Sequence, residues 1–263
     1  MELVDTHCHL TESPLVDHLD EVLTRARARG VNQIVLPAYD HASWSSVRGM
    51  AQRTGVFPAI GLHPWRAAEG VEAEALSHAL TDAHAVAVGE IGLDFKIDAF
   101  DRDVQLTVLR RQLAVAVELD LPVLLHCRGA FEDLLAIVHE LTPRLRGVIH
   151  AFSRGPELAQ RFIDAGFYVA LGGAVTRPGA RVRAAVKALP LDRVLLETDA
   201  PSIGLDNVPP EHVEPHHVAD VAAAVAALRE TDLETVARVT TANAEMLFRL
   251  TTTEGLHAPA SGR

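Results

Sequence analysis

The chain of 263 residues is 48% apolar and 22% charged, which provides for one large core and is ordinary for a globular protein. Its formal charge of −11 argues against a protein that grips nucleic acid through a broad basic surface, although bound divalent cations can supply the positive charge that a phosphate needs. The sequence has no apolar run of about 18 residues that would span a membrane, no signal-peptide pattern, and two cysteines that cannot form a disulfide framework, so we expect a cytoplasmic protein.

Short β-branched runs alternate with longer amphipathic stretches along the chain. The runs predict strands at residues 3–6, 33–37, 57–62, 85–90, 122–126, 147–150, 168–171 and 193–197. The amphipathic stretches predict helices at 15–29, 103–119, 131–141 and 157–165, and a final pair at 215–228 and 233–250. Several strands read as nearly continuous apolar runs, which is typical of a parallel sheet buried on both faces.

Eight strand–helix units in a chain of this length predict an α/β protein with a TIM-type (β/α)8 barrel. An open doubly wound sheet is the alternative. Because no composition break or linker divides the chain, we predict a single domain over residues 1–250, followed by a flexible tail at 251–263. No coiled-coil pattern is present, and we expect a monomer.

The first predicted strand leads into a His-X-His pattern in "ELVDTHCHL". Side chains of a strand alternate between its two faces, so His7 and His9 point to one side and Cys8 to the other. Two imidazoles on one side can bind one metal ion. A His pair is a weak motif by itself, and a surface loop with two incidental histidines is the alternative.

The active site of such a barrel lies at the C-terminal ends of its strands. Six side chains of metal-binding type fall at the predicted strand ends: His7, His9, Glu90, His126, His150 and Asp199. Each has a separate structural explanation, as a hydrogen-bonded core histidine, an ion-paired carboxylate or, for Asp199, a turn cap. A shared metal cluster explains the positions of all six side chains together. It also supplies the positive charge that buried carboxylates need to offset their loss of hydration.

Six ligands are too many for one tetrahedral ion and suit two ions about 3.5–4 Å apart, bridged by a carboxylate and a water. Related two-metal barrels often use a carboxylated lysine as the bridge, but Lys96 and Lys187 end no predicted strand. The bridge is therefore Glu90, which is central in strand order, or Asp199. Mixed histidine and carboxylate ligands suit Zn²⁺ or Mn²⁺, and Mg²⁺ could serve in excess.

Six motifs together resemble the TatD family of metal-dependent hydrolases and deoxyribonucleases, within the amidohydrolase superfamily, and are most similar to its YjjV-like branch. They are "DTHCHL", "AIGLHP", "VAVGEIGLDF", "LPVLLHCR", "IHAFS" and "LLETDAP". The resemblance spans nearly the whole chain, to "TTANAEMLF". It implies a substrate-facing His63, a bridging Glu90, and hydrolysis of phosphodiesters from the 3′ end of DNA. It also implies two ion sites, one formed by His7, His9 and Asp199 and one by His126 and His150.

The catalytic roles follow as hypotheses from this resemblance. Water activated by two metal ions attacks the phosphorus, with Asp199 as general base. His63 hydrogen-bonds a phosphate oxygen or protonates the leaving group, and Arg128 offsets charge on the phosphate. Arg154 replaces a glycine that usually follows Phe-Ser in the family, which adds a cation near the rim and makes it a substrate-binding candidate. We also expect Asp94 to orient a ligand histidine or to act as a cap.

Two other classes of function are compatible with the sequence. A different metal-dependent hydrolase would share the metal site and act on a lactone, an amide, a phosphotriester or a D-aminoacyl-tRNA ester. A non-catalytic barrel could serve as a scaffold in a larger complex, although such a protein would not need all six ligands. For the deoxyribonuclease, the expected partner is single-stranded DNA or a DNA 3′ end.

Overall fold

The computed structural model describes residues 1–97 and 99–250. Parallel strands form one eight-stranded sheet in chain order: β1 (Leu3–Asp5), β2 (Val31–Pro37), β3 (Val56–Ile60), β4 (Ala87–Asp94), β5 (Val123–Arg128), β6 (Gly147–Ile149), β7 (Tyr168–Leu171) and β8 (Val194–Leu196). The helices between and after them are α1 (Leu19–Ala28), α2 (His41–Met50), α3 (Ala73–Asp82), α4 (Arg102–Glu118), α5 (Phe131–Leu141), α6 (Pro156–Asp164), α7 (Val182–Ala188), α8 (Val218–Arg229) and α9 (Leu233–Phe248).

Each strand pairs in parallel with the next one in the chain, and the sheet curls until β8 approaches β1. This single α/β domain confirms the predicted TIM-type barrel. The boundary at residue 250 stays a prediction, and the tail predicted at 251–263 lies outside the described residues. No helix in the described ranges is long and apolar enough to cross a membrane. The cytoplasmic location and the monomeric state also stay predictions.

Every strand contributes a small or branched apolar side chain to the barrel interior, and β7 adds Tyr168. The small or branched side chains are Val4, Val35, Ala59, Ala87, Leu124, Val148, Ala170 and Leu195. Leu247 and Phe248, from the end of α9, pack against this inner layer, while the outward faces of the strands join the larger core beneath the helices. Burial on both faces explains why the strands read as nearly continuous apolar runs.

The helix boundaries differ from the sequence prediction where short turns precede a helix. The stretch predicted as one helix at 15–29 begins with a 3₁₀ turn, Val16–His18, before α1 starts at Leu19. A second 3₁₀ turn, Pro215–His217, precedes α8. The helices α2, α3 and α7 add to the predicted set. Within α2 only Val47 is buried, so its sequence carries little amphipathic signal.

Hydrogen bonds join β8 to β1 and bring their two following segments together. The Thr6 backbone N–H donates to the Leu196 carbonyl oxygen at 3.0 Å. The buried Asp5 carboxylate accepts from the backbone N–H of Thr198 at 2.9 Å and from its hydroxyl at 2.6 Å. Beyond them the Asp199 N–H donates to the His7 carbonyl oxygen at 2.9 Å. This seam therefore sets the relative position of the residues that follow β1 and β8.

The seam predicts a stability effect at Thr198. Thr198→Val keeps the side-chain shape but removes the hydroxyl that donates to Asp5, so a buried carboxylate oxygen loses a partner. We expect the free energy of unfolding to fall by about 1–3 kcal/mol, measured by urea denaturation. Thr24→Val, at an exposed helical position, is the matched control, with a change within about 0.5 kcal/mol. Equal effects of the two substitutions would contradict this role of the seam.

Candidate metal centre

The six predicted ligands meet at the C-terminal end of the barrel. His7 and His9 follow β1, His126 lies in β5, and His150 and Asp199 follow β6 and β8. Together with His63, which joins Glu90 and His126, their ligand atoms form three overlapping groups among the described residues. Within each group all ligand atoms lie within 4.8 Å of one another. The side chains of His7, Glu90 and Asp199 are 0%, 4% and 9% exposed, so the cluster is withdrawn from bulk water.

Glu90 lies between two sets of imidazoles. Its Oε1 is 2.8 Å from His150 Nε2, 3.0 Å from His126 Nδ1 and 3.3 Å from His63 Nε2. Its Oε2 is 3.3 Å from His7 Nε2 and 3.8 Å from His9 Nε2. Each carboxylate oxygen therefore faces a different part of the cluster, which is the arrangement of a bridging carboxylate.

The sequence prediction that Glu90 ends its strand is wrong. β4 continues to Asp94, and Glu90 lies where the register of β4 against β5 shifts, between Val88 and Ile91. Ala87 points into the barrel, so strict alternation would turn Gly89 inward and Glu90 outward. The irregularity reverses this order and brings the carboxylate into the cluster. It needs glycine nearby, because at Gly92 (φ 150°) a Cβ atom would lie 2.0 Å from the His126 carbonyl oxygen.

A second carboxylate, Asp199, completes the part of the cluster next to the seam. Its Oδ1 lies 3.3 Å from His9 Nε2 and 3.9 Å from His7 Nε2. The two imidazole Nε2 atoms are themselves only 3.2 Å apart. Nitrogen atoms that approach so closely beside two carboxylates form the donor set that a divalent cation requires. The residues present therefore fit metal ions.

The electrostatics of the cluster support this fit. Burial alone would raise the pKa of Glu90, but the surrounding imidazoles, His150 foremost, lower it well below its ordinary value. Burial likewise opposes ionisation of His150, yet the Glu90 carboxylate raises the pKa of His150 to about 10. Burial, together with the charge of His150, lowers the pKa of His7 to about 4. Since metal ligands must be deprotonated, a cation here would replace the protons that the cluster otherwise shares.

Asp94 connects the cluster to the surrounding surface. Its buried Oδ2 accepts from the Trp65 indole N–H at 2.8 Å and lies 3.4 Å from His126 Nε2 and 3.3 Å from an Arg128 guanidinium nitrogen. Burial opposes ionisation, but hydrogen bonds, that of His126 first, hold the pKa of Asp94 well below its usual range. A carboxylate behind a histidine orients the ring. The geometry agrees with the orienting role expected for Asp94.

The position of His63 defines which of its nitrogen atoms carries the proton. Its Nδ1 accepts a hydrogen bond from the Trp65 backbone N–H at 3.2 Å. In the neutral ring the proton therefore lies on Nε2, which faces Glu90. Burial lowers the pKa of His63, which favours this neutral form. His63 thus presents an N–H donor to the cluster, although its distance from Glu90 and His126 alone would also allow a metal ligand.

A cavity of about 1030 Å³ opens over the cluster. Both predicted substrate arginines line it, and the guanidinium of Arg154 lies 5.3 Å from the centre of the Phe131 ring. Sequence reasoning missed Arg177 and Trp65, which line the same cavity, and Glu197, which is buried 3.9 Å from His150 Nδ1. Glu197 belongs to the motif "LLETDAP" and could have been found there, whereas nothing in the local sequence distinguishes Arg177.

A buried set of histidines and carboxylates at the C-terminal rim of a TIM-type barrel is the arrangement of a metal-dependent hydrolase with an amidohydrolase-like fold. Comparison with known proteins agrees, since the family model described as TatD related DNase matches residues 4–249. The chain belongs to the TatD family, as its motifs predicted.

Several relatives cover almost the whole chain. The uncharacterized metal-dependent hydrolase YabD of Bacillus subtilis is 36% identical over 253 residues, which are 94% of this chain and 99% of YabD. The 3′-5′ ssDNA/RNA exonuclease TatD of Citrobacter koseri is 32% identical over 256 residues, 94% of this chain and 98% of that protein. The crystal structure of YjjV from Escherichia coli, 33% identical, superimposes with a TM-score of 0.89 and covers 95% of this chain and 98% of its own.

Metal binding should stabilise the fold through Glu90. Adding Zn²⁺ or Mn²⁺ to chelator-treated protein, at about 100 times the dissociation constant, should stabilise it by about 2.7 kcal/mol and raise the melting temperature. Glu90→Ala should lose most of this shift, because Glu90 contacts both parts of the cluster. Glu12→Ala, which removes an exposed carboxylate from the same cavity, is the control and should keep the shift. An undiminished shift in Glu90→Ala would refute the bridging position.

Proposed function

We propose that this protein is a divalent-metal-dependent deoxyribonuclease that removes nucleotides from the 3′ end of single-stranded DNA. The observation that carries the proposal is the position of Glu90, whose two oxygens face different imidazole sets across a buried cluster. Such an arrangement suits two metal ions, and paired ions are a common solution for in-line displacement at phosphorus. The exonuclease named among the relatives supports the choice of DNA as the substrate.

The proposed ligand assignment follows the contacts. His7, His9 and Asp199 would hold one ion, and His126 and His150 would hold the other. Glu90, whose two oxygens face His7 and His150, would be shared between the two sites. Zn²⁺ and Mn²⁺ match this mixed donor set best, and Mg²⁺ is the third candidate. When bound, the ions supply positive charge for the phosphate oxygens and a lowered pKa for the attacking water.

Asp199 is the proposed general base for the attacking water. Its Oδ1 faces His7 and His9, and among the described residues no group donates a hydrogen bond to its Oδ2. Burial opposes ionisation, but the hydrogen bond with His9 and the neighbouring imidazoles hold the pKa of Asp199 below its ordinary value, so it is ionised at neutral pH. Asp199 also lines the cavity, where it can reach a water beside the substrate.

His63, Arg128 and Arg154 are the proposed substrate contacts. The Nε2–H of His63 is aimed at the cluster, so it can donate to a phosphate oxygen or to the leaving oxygen as the phosphorus–oxygen bond breaks. Arg128 is held at the cavity edge by Asp94, and Arg154 by Phe131. Their guanidinium groups can offset charge on the phosphate.

The first test is cleavage of 3′-labelled single-stranded DNA by wild-type protein with Mg²⁺, Mn²⁺ or Zn²⁺. We expect metal-dependent shortening that EDTA and Glu90→Ala abolish, because both remove the paired ions. If the protein is stabilised by metal but cleaves DNA with none of the three ions, the substrate would instead be a lactone, an amide, a phosphotriester or an aminoacyl ester. Full activity of Glu90→Ala would overturn the two-ion proposal.

The second test separates a hydrogen-bond donor from a metal ligand at His63. His63→Phe removes the N–H and should lower kcat by about 100-fold, within the usual range for a proton donor. Metal content, measured by mass spectrometry, should not change, and His63→Gln should recover part of the activity. His41→Phe, at an exposed helical position, is the control. Loss of one metal equivalent in His63→Phe would assign His63 as a ligand instead.

A further inference from the structure

The cavity wall carries more cations than the proposed reaction uses. Lys96, Arg128, Arg154 and Arg177 line it. Arg128 is the last residue of β5, and the other three lie in the loops that follow β4, β6 and β7. These strands are neighbours in the sheet, so the cations occupy one continuous side of the rim. The acidic residues that line the cavity are Glu90 and Asp199 of the cluster and Glu12, which follows β1. In a chain with a net charge of −11, this separation marks the β4–β7 side as the side for an anion.

Three of these cations are held in place by contacts that do not neutralise their charge. The aliphatic stem of Lys96 packs over Gly129, and the Arg154 guanidinium stacks on Phe131. Arg177 donates to the carbonyl oxygen of Gly204, in the loop that follows β8. Within the described residues, none of these three has a carboxylate within 4.0 Å, whereas Arg110 and Arg161 on the outer surface pair with Glu140 and Glu132.

Arg177 lines the cavity but contacts none of the six predicted ligands through a hydrogen bond or ion pair among the described residues. β7 supplies none of the six predicted ligands, and Arg177 lies in the loop that follows it, between the loops that carry His150 and Asp199. A cation there can reach a phosphate other than the one at the metal ions. Guanidinium groups suit this task because their fork of N–H donors matches two phosphate oxygens.

We propose that Arg177 forms a distal phosphate subsite that binds a neighbouring phosphate of the same strand, next to the phosphate that Arg128 and Arg154 contact. The inference rests on the proposed phosphodiesterase function and extends it. The substrate is then a nucleic-acid strand of several nucleotides, and a mononucleotide derivative or a dinucleotide would leave this subsite empty. DNA and RNA share the phosphate chemistry that the subsite recognises.

The test is equilibrium binding of fluorescein-labelled (dT)10 and (dT)2, measured by anisotropy in the presence of Mn²⁺. The background is metal-loaded wild-type protein, and each oligonucleotide carries a phosphorothioate at its 3′-terminal linkage so that it is not consumed. Adding Arg177→Ala should weaken binding of the decamer about fivefold to tenfold, and the slope of log K against log salt should fall by about 0.7, the value for one phosphate contact on a single strand. The loss for the dinucleotide should be clearly smaller. An equal loss for (rU)10 would assign the contact to phosphate, and loss for DNA alone would overturn a phosphate-only subsite.

Two further variants separate charge from structure. Arg177→Lys keeps the charge and should restore most of the salt slope, although it changes the contact with Gly204. Arg181→Ala removes an exposed cation four residues along the chain, at the start of α7, and should bind both oligonucleotides unchanged. If Arg177→Ala binds the decamer as tightly as Arg181→Ala does, or loses the dinucleotide equally, the distal subsite is wrong.

A separate assay keeps this inference distinct from the proposed function. Bis(p-nitrophenyl) phosphate contains one phosphodiester and no neighbouring phosphate. If metal-loaded wild-type protein hydrolyses neither this compound nor (dT)10, the phosphodiesterase proposal is overturned. Anisotropy alone decides whether Arg177 contacts the strand.

Discussion

The structure depends on one buried carboxylate. Glu90 is nearly excluded from water, where an unpartnered carboxylate would be strongly destabilised. Its two oxygens are instead surrounded by imidazoles from β5 and from the loops after β1, β3 and β6. Four parts of the barrel are therefore tied to one side chain in the middle of β4. A barrel can satisfy such a group because its strand ends converge on a small volume.

The local backbone serves this one side chain. The register shift in β4 turns Glu90 inward, and Gly92 allows β5 to approach where a side chain would collide. On the opposite side of the barrel, the β1–β8 seam brings His7 and His9 beside Asp199 through backbone hydrogen bonds and the buried Asp5–Thr198 pair. The register shift and the seam both set the distances between the side chains of the cluster.

The sequence was sufficient for the fold and for the identity of the clustered residues, because both depend on patterns along the chain. Apolar runs located the strands, and strand ends located His7, His126 and Asp199. Sequence failed where the answer depends on contacts between distant segments. The extension of β4 to Asp94 depends on pairing with β5, and a shift in register has no local signal. Arg177 resembles any surface arginine until the barrel brings it to the same cavity as Arg154.

The site divides its tasks between two kinds of structure. The side chains proposed as metal ligands lie in strands or within four residues of a strand end. The free cations lie in the loops that follow β4, β6 and β7, and these loops tolerate substitution far better than the buried core does. Arg154, a proposed substrate contact, can therefore stand where the family usually has glycine without disturbing the cluster. This division would allow proteins with the same metal site to differ in substrate through the cations of their loops. It also explains why the proposed metal ligands are recognisable from sequence, whereas the loop that contains Arg177 is not.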